Sequence, residues 1–581
     1  MNNKDWTSFY NKKEAVEISN KIIDQLINSI YEKKISIFSS KKLKKFELGL
    51  LLRWPLYVAI NTFIERYIRL LYYKKENQNF TFIEIKENFK HYTNTSRLCD
   101  DYYNDLTVNN KLISRIYKII SKSINLSKKG SKNKSTFKDF YEREKDTYSF
   151  QTKIMFFFQR KIKNYLSIFF RFFKKPIFIY DGDNWLSDVY PIISRFPELK
   201  YQDYQPNNKI REKIKESSRK IINKNFIKYL KILNQKDKKA LIELFVEWID
   251  YSIPLSVIEG LDKTINYYNK ILSNWQIKQV HTCRGYYFND NLKIFSILAK
   301  RKNCLLISHE EGVNNFISYL PKNKKLPNRY KAINQIMYSD YYIFWGKNKL
   351  SDKWDNVQKK FNTKIINRGS VYLGSLKKRK PNLININQFT LLYISGPSRN
   401  FMANLEEITT EKNLTHKKNV INYIKSLLKN YKGLKIYYKP FPGIDTSVDL
   451  IDKILPNNLK KRIQFTNKKS VHLMKEVDIV FFDMLSTGFA EALQIQVPAL
   501  AYINDFEYES ASIEGKLIND SLAKNKLVFF NKYEGMKAIK NLIVTNKYYS
   551  QSNLKILNKY KEAIAYPVKK NMFLNSLDSL N

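Results

Sequence analysis

Short apolar runs that end in polar residues recur through residues 176–530, with amphipathic helical patterns between most of them. Such runs predict buried strands, and strands that alternate with helices predict parallel sheets covered by helices on both faces. The strands form two consecutive series, which indicate an α/β fold with two Rossmann-like domains facing a cleft. The runs lie at 176–183, 277–283, 304–310 and 341–346 in the first series, and at 390–397, 434–440, 477–483, 498–505 and 526–530 in the second.

The part of the chain before these runs is predicted to be mainly helical, because apolar residues recur there at spacings of three and four. The pattern covers residues 13–33, 41–74 and 108–124, whereas the polar stretch 128–139 predicts an exposed loop. We therefore expect four units. They are a helical N-terminal region (1–175), a first Rossmann-like domain (176–380), a second Rossmann-like domain (381–545), and a C-terminal helix and tail (546–581).

Aromatic and basic residues alternate in residues 153–175, whose sequence is KIMFFFQRKIKNYLSIFFRFFKK. Phenylalanines beside lysines and arginines suit a helix in a membrane interface, with the rings at the acyl boundary and the cations near lipid phosphates. The same pattern suits a buried helix whose basic side chains extend to the surface. Both interpretations remain open at this point.

The chain has 102 Lys and Arg against 54 Asp and Glu, a formal net charge of +48. This excess suits attraction to polyanions, such as nucleic acid, anionic lipid or a phosphorylated substrate. A codon bias towards lysine is the favoured explanation, because abundant Asn, Ile, Tyr and Phe accompany the excess, as an AT-rich genome would give. The charge is spread along the chain rather than gathered in one arm, which argues against a specific nucleic-acid partner.

The three cysteines share no metal-binding spacing, and no stretch reaches about 18 apolar residues without a charge. The first residues also lack the apolar run of a signal peptide. We therefore predict a cytoplasmic protein, with a peripheral position on the inner membrane face as a further expectation, and no bound metal or cofactor.

The clearest local signal is the run at 477–483, which is followed by a tight loop and a helical pattern near Ser486 and Thr487. Ligands of open α/β sheets bind beyond the carboxyl ends of strands, and a helix that begins there offers main-chain N–H groups to an anion. Ser486 or Thr487 would cap this helix, and Glu491, about one turn later, would accept hydrogen bonds from ribose hydroxyls. Lys439, at another strand end, offers a phosphate contact. Taken alone, each segment also fits an ordinary capped helix or a strand-ending turn.

Acidic residues and histidines follow the strands of the first series. His309 and Glu310 end one strand, where a histidine beside a carboxylate suits general acid–base catalysis. Asp181 and Asp183 end another, where paired acids suit a catalytic base, a metal ligand or a simple turn. His281 is a further candidate of the same kind.

Together, these segments resemble a known group of enzymes. The segment DMLSTGFAEALQIQVPALAY (483–502) is similar to the Asp-x-x-Ser-(Ser/Thr)…Glu-Ala-Leu…Pro pattern of GT-B nucleotide-dependent transferases related to the CDP-glycerol glycerophosphotransferases. The segment YKPFPGID (438–445) is similar to their Lys-x-His-Pro element. The chain looks closer still to a family of surface-polysaccharide transferases found with O-antigen gene clusters. That likeness rests on the segments 53–67, 308–312, 337–346 and 486–493.

The resemblance implies transfer of a glycosyl or glycerophosphoryl group from a nucleotide donor, with a cytidine nucleotide favoured, to a growing bacterial surface polymer. The second domain would hold the donor, and the first would hold a glycan or lipid-linked acceptor. The donor-binding residues implied are Lys439, Ser486, Thr487 and Glu491. The candidate catalytic bases are His309, Glu310 and Asp181.

Two departures from the family patterns leave other functions open. The chain has His-Glu-Glu-Gly at 309–312 where the family has His-Gly-Gly, and Phe441 stands where the Lys-x-His-Pro element has its histidine. These differences favour a degenerate transferase that binds glycan or nucleotide without turnover. The basic composition favours instead a polyanion-binding protein, for example one that binds RNA with an affinity that falls steeply with salt.

Overall fold

The computed structural model describes most of the two predicted Rossmann-like domains and part of the helical region before them. The predicted loop 128–139, the aromatic and basic segment 153–175, and Asp183 lie outside the described residues. The described residues are 12–32, 43–75, 89–104, 106–123, 177–181, 193–199, 204–283, 285–310, 312–313, 336–347, 359, 361–380, 383–397, 405, 410–441, 447–509, 511, 513–545 and 547–573.

The first sheet has six parallel strands in the order β2-β1-β3-β4-β5-β6. The direction in which strands are added reverses between β1 and β3, and such a reversal opens a crevice at the carboxyl ends of the two strands. The strands are β1 (Ile177–Asp181), β2 (Ile193–Arg195), β3 (Ile277–Thr282), β4 (Leu305–His309), β5 (Tyr341–Phe344) and β6 (Lys364–Asn367).

The second sheet also has six parallel strands, in the order β12-β11-β10-β7-β8-β9. Counted from its first strand, this is the order 3-2-1-4-5-6 of dinucleotide-binding Rossmann folds, with the reversal between β7 and β10. The strands are β7 (Phe389–Ile394), β8 (Leu434–Lys439), β9 (Ile463–Phe465), β10 (Ile479–Phe482), β11 (Ala499–Tyr502) and β12 (Val528–Phe529).

Helices precede the first sheet and lie between the strands of both sheets. Those before and within the first sheet are α1 (Lys12–Glu32), α2 (Lys45–Lys75), α3 (Thr95–Asn104), α4 (Leu106–Ser123), α5 (Asn208–Phe226), α6 (Gln235–Ser252), α7 (Leu261–Asn274), α8 (Gly285–Phe288) and α9 (Asp290–Lys300). Those that follow are α10 (Val371–Ser375), α11 (Thr410–Asn430), α12 (Ser447–Ile454), α13 (Asn457–Lys460), α14 (Ser470–Glu476), α15 (Thr487–Ile495), α16 (Asp505–Glu509), α17 (Ile513–Lys524), α18 (Lys532–Thr545) and α19 (Gln551–Ile564).

This architecture confirms the predicted α/β fold of GT-B type, with two Rossmann-like domains and a mainly helical region before them. Each of the nine apolar runs coincides with an observed strand to within one residue at its start or overlaps most of it. The three helices predicted before the first sheet begin and end within four residues of the predicted positions. Among the helices that the structure describes, none is long and apolar enough to cross a membrane.

The buried side chains form two hydrophobic cores. The first joins the helices that precede the first sheet to that sheet, with Trp54 and Trp248 among its largest members. The second surrounds the second sheet and also takes in Tyr342 and Phe344 of β5, together with residues of α19. Because the second core includes side chains from β5, the two domains are in direct apolar contact.

The segment after α19 returns to the first domain. The N–H of Tyr566 donates to the carbonyl of Trp345 at 2.9 Å, and the N–H of Ser370 donates to the carbonyl of Tyr566 at 2.6 Å. Gly369 has a φ of +74°, and a side chain there would collide with Val568 and Tyr566. Glycine is therefore required where the returning segment crosses the end of β6.

Candidate active site

The loops after β7 and β10 meet at the reversal point of the second sheet. Ile394 and Phe482, the last residues of these strands, are paired in register. The N–H of Gly396 donates to Oδ1 of Asp483 at 2.5 Å. A Cβ atom on Gly396 would lie 2.9 Å from the same Oδ1, so only glycine allows the two loops to approach this closely.

A buried ion pair connects the loops after β7 and β10. Lys417, on α11, forms an ion pair with Asp483, and its Nζ donates at 2.7 Å both to Oγ of Ser395 and to the carbonyl of Gly396. The hydroxyl of Tyr393 donates to Asp483 at 2.6 Å. Burial alone would raise the pKa of Asp483, but the charge of Lys417 and these hydrogen bonds outweigh it and lower the pKa. Asp483 is therefore a buried, ionised carboxylate that fixes the loop after β10.

The helix α15 begins directly after this anchored loop. Ser486 occupies its N-cap position, as predicted, but its side chain makes no capping hydrogen bond, so the expected cap is absent. Ser486, Thr487 and Gly488 are partly exposed. The first N–H groups of a helix have no partner within it and carry the positive end of its dipole. Two hydroxyls and these N–H groups thus form a surface suited to an anion.

Glu491 lies one turn further along α15. Its Oε1 accepts a hydrogen bond of 2.6 Å from the hydroxyl of Tyr372, on α10. Burial raises the pKa of Glu491, and the hydrogen bond from Tyr372 opposes this shift only in part. Tyr372 therefore holds the carboxylate in one position and connects it to the segment between the two sheets.

Lys439 lies at the same edge of the sheet but further from α15. It is the last residue of β8, two strands away from β10. Its carbonyl accepts the N–H of Ser395 at 3.1 Å, and its Nζ lies 3.5 Å from the carbonyl of Asn467. Lys439 thus contacts the loop after β7 through its backbone, while its ammonium group is directed towards β9.

In the first domain, His309 ends β4 beside His281 of β3. Nε2 of His309 lies 3.0 Å from Nδ1 of His281, and Nε2 of His281 lies 3.0 Å from Oε1 of Gln279. Burial lowers the pKa of His309 to about 3, and burial together with the neighbouring His309 lowers the pKa of His281. Both rings are therefore neutral at neutral pH.

The hydrogen-bond chain fixes which nitrogen of His309 carries its proton. Oε1 of Gln279 can only accept, so Nε2 of His281 carries a hydrogen and Nδ1 of His281 is an acceptor. Nε2 of His309 must then donate to that Nδ1. With the amide of Gln279 oriented as in the structure, the basic lone pair of His309 lies on its Nδ1.

Glu310 and Asp181 occupy different surroundings. Glu310 is fully buried, its N–H donates to the carbonyl of Ile343 at 2.9 Å, and its Oε2 accepts the N–H of Trp345 at 2.8 Å. These bonds anchor the end of β4 to β5. Asp181 is the last residue of β1, and its backbone pairs with Thr282 of β3 at the reversal point of the first sheet.

The candidate residues of the first domain and those of the second are connected by a contact between Gly312 and Thr487. A Cβ atom on Gly312 would lie within 3.0 Å of Oγ1 of Thr487. Gly312 follows β4 by three residues, and Thr487 is the first residue of α15. The carboxyl end of the strand that carries His309 is therefore in contact with the helix end suited to an anion.

Lys417 and its neighbour His416 are functional candidates that the sequence analysis did not identify. Their segment was predicted to be an ordinary amphipathic helix. The available signal was that Lys417 falls on the apolar face of that helix, in line with the buried Ile421 and Ile424. A lysine in an apolar stripe needs a buried partner, and Asp483 is the partner here.

The sequence and the structure were compared with curated proteins, solved structures and protein-family models. No curated protein matches the sequence. Several solved structures are similar, all at low TM-scores. The UDP-GlcNAc 2-epimerase from Neisseria meningitidis has 14% identity, covers 70% of this chain and 99% of its own, and has a TM-score of 0.38. MnaA from S. aureus has 13% identity, 55% and 78% coverage, and a TM-score of 0.34. TarM from S. aureus has 13% identity, 55% and 58% coverage, and a TM-score of 0.34.

A family model covers nearly the whole chain. The model described as the LIC12162 family transferase matches residues 1–539. This range includes both parallel sheets, the paired histidines of the first domain and the helix end of the second. The chain therefore belongs to the LIC12162 family and is a transferase.

Proposed function

We propose that this transferase moves an activated glycosyl or glycerophosphoryl group from a nucleotide donor to a hydroxyl group of a bacterial surface polysaccharide. The observation that carries the proposal is the contact between Gly312 and Thr487. It brings a helix end suited to a phosphate next to the strand end that carries a neutral histidine. A donor held by the helix end would then lie beside the strand end that carries the proposed base.

The second domain (381–545) is proposed to bind the donor. N–H groups at the start of α15 and the hydroxyls of Ser486 and Thr487 would hold its phosphates. Glu491, held by Tyr372, would accept hydrogen bonds from the ribose. Lys439 would contribute positive charge at the edge of the site. The likeness to the Lys-x-His-Pro element favours a cytidine nucleotide.

His309 is proposed as the catalytic base. Its Nδ1 would take the proton of the acceptor hydroxyl while the acceptor oxygen forms its bond to the reactive carbon or phosphorus of the donor. The bond to the leaving phosphate breaks, and its electron pair remains on a phosphate oxygen that faces α15. A bound phosphate would also raise the pKa of His309 from its low value, because a nearby anion favours the imidazolium.

The first domain (176–380) is proposed to bind the acceptor. A glycan chain or a lipid-linked saccharide suits the assignment to surface-polymer synthesis. A lipid-linked acceptor would require the enzyme to work at the inner face of the membrane. Glu310 and Asp181 are the alternative bases, and the backbone contacts of Glu310 favour an anchoring role for its carboxylate.

Thermal-shift measurements with CMP, CDP, UDP and GDP test the proposal, because a ligand that binds only the folded state raises the melting temperature. We expect a shift with one nucleotide that is lost in the Ser486→Ala/Thr487→Ala variant. The matched control is Ser426→Ala/Thr545→Ala, which removes two exposed hydroxyls that bond within their own helices. This control should keep the shift.

Two outcomes would contradict the proposal. No nucleotide shift, together with a shift by a short RNA that disappears with added salt, would favour the polyanion-binding alternative. A nucleotide shift without release of nucleotide from any cytidine-, uridine- or guanosine-linked donor would favour a degenerate transferase.

A further inference from the structure

The turn between α5 and α6 exposes apolar side chains within a strongly basic surface. We call residues 220–239 the lysine corner. They comprise the end of α5, a 3-10 turn (Ile227–Leu230) and the start of α6. Ile227 and Ile232 are 55% and 56% exposed, although they lie on either side of buried residues of the same turn. The two isoleucines thus form a small exposed apolar patch on this turn.

The charge around these isoleucines is almost entirely positive. The lysine corner contains a single acidic residue, Asp237, which is buried and whose N–H is bonded by the side chain of Asn234. Lys228 forms an ion pair with Glu14. Among the described residues, the other exposed lysines form no ion pair, and one of them, Lys239, interacts electrostatically with Glu243 of α6. The exposed lysines are Lys220, Lys224, Lys228, Lys231, Lys236 and Lys239.

The corner is rigidly attached to the helical region. The hydroxyl of Tyr67, on α2, donates to the carbonyl of Tyr229 at 2.7 Å, and the ring of Phe226 packs against Tyr67 with centroids 5.7 Å apart. The exposed isoleucines are therefore presented by an ordered turn. A preorganised surface of this kind loses little conformational entropy when it binds.

The helix that carries Tyr67 also contacts the second domain. Arg69, two residues after Tyr67 on the same helix, donates to Oγ1 of Thr410 at 3.1 Å and forms an ion pair of 3.6 Å with Glu411. Thr410 begins α11, the helix that carries Lys417 to the donor loop. Helix α2 therefore contacts both the lysine corner and the second domain.

We propose that the lysine corner docks the enzyme on an anionic lipid surface. The two isoleucines would enter the boundary between headgroups and acyl chains, and the lysines would lie among the lipid phosphates. The inference rests on the proposed function and deepens it, because a docked enzyme would work at the surface that holds a lipid-linked acceptor. RNA is a weaker match, since it is bound through arginines and aromatic rings rather than exposed aliphatic side chains.

Co-sedimentation of the full chain with vesicles tests the docking directly. Wild type should bind vesicles that contain phosphatidylglycerol and should not bind vesicles of phosphatidylcholine alone. Lys231→Gln/Lys236→Gln/Lys239→Gln should weaken binding on the order of a hundredfold, from roughly fivefold for each lysine near an anionic surface. Ile227→Ser/Ile232→Ser should weaken it by about tenfold or more at unchanged charge.

Matched controls come from exposed residues of α17 and α18. Leu517→Ser/Val544→Ser and Lys524→Gln/Lys537→Gln/Lys540→Gln remove the same kinds of side chain and should leave vesicle binding unchanged. Equal losses in the corner and control variants would overturn the proposal, as would binding of a short RNA in place of the vesicles. The corner variants should keep the nucleotide shift, so a failure of the docking is distinguishable from a failure of the proposed transferase site.

Discussion

Gly312 and Thr487 are in direct contact, so the loop after β4 of the first sheet touches the first residue of α15 beside the second sheet. Each of these positions is at the carboxyl end of a strand, where open α/β sheets bind their ligands. The contact therefore ties the geometry of the proposed base to the geometry of the proposed phosphate site. A change at one position should be measurable at the other.

Gly312→Ala should weaken donor binding with little effect on stability. The added methyl group would force the side chain of Thr487 to rotate away, and the phosphate would lose one hydroxyl contact. We expect the nucleotide dissociation constant to rise by about tenfold, a loss of about 1.4 kcal/mol. Gly49→Ala is the matched control, because a Cβ atom there makes only an ordinary contact with Ile27. Titration calorimetry that finds equal nucleotide affinities in the two variants would contradict the assignment.

Replacing Lys417 by Met should destabilise the second domain strongly. The carboxylate of Asp483 would remain buried with its main positive partner removed, which typically costs about 3–5 kcal/mol. Asp483→Asn in the same chain should recover part of this loss, because the variant pair no longer buries an unpaired charge. A double-mutant cycle by urea unfolding measures the coupling. Additive effects of the two substitutions would mean that the pair does not hold the loop.

The strands that lie inside the two sheets could be predicted from the sequence. Each of those strands is a nearly continuous apolar run, because both of its faces are buried by helices. The strands that escaped prediction are β2, β6 and β9, and all three lie at a sheet edge. These strands are short, and β6 and β9 have exposed side chains. The four residues of β6, for example, include one exposed and three half-buried side chains, and β9 has two exposed ones.

The candidate site could be predicted only in part, because its contacts join distant segments. Ser486, Thr487 and Glu491 follow a strand within one continuous motif, so the local pattern indicated a helix end. Lys417 lies 66 residues before Asp483, and Tyr372 lies 119 residues before Glu491. No local pattern connects these pairs. The same holds for Gly312 and Thr487, whose contact depends on the arrangement of the two domains.

His309 should make the protein less stable in acid. Its pKa is about 3 in the folded protein against 6.5 ordinarily, because burial opposes the charged ring. The unfolded chain therefore binds more protons below pH 6.5. This contribution to stability is complete above pH 6.5 and declines as the pH falls towards about 3, by up to about 1.4 kcal/mol per pH unit.

The test compares melting temperatures of wild type and His309→Gln across this range. The variant should lose less of its melting temperature between about pH 7 and about pH 5 than wild type does. His472→Gln, which replaces an exposed histidine of α14, is the control and should follow wild type. Parallel curves for wild type and His309→Gln would mean that His309 is not held neutral by the fold.

Gln279 should control the rate of transfer through the proton position on His309. Gln279→Leu removes the acceptor of the hydrogen on Nε2 of His281, so the hydrogen-bond chain no longer fixes the lone pair of His309 on its Nδ1. We expect kcat to fall by about tenfold to a hundredfold, within the range that general bases contribute, while KM for the donor stays unchanged.

Gln279→Glu keeps an acceptor at this position and places a negative charge near both rings. It should therefore retain most of the activity and move the acid limb of the pH–rate profile to higher pH, because a carboxylate favours the protonated imidazole. A merely structural role for Gln279 would instead lower the melting temperature in both variants and leave the pH profile in place.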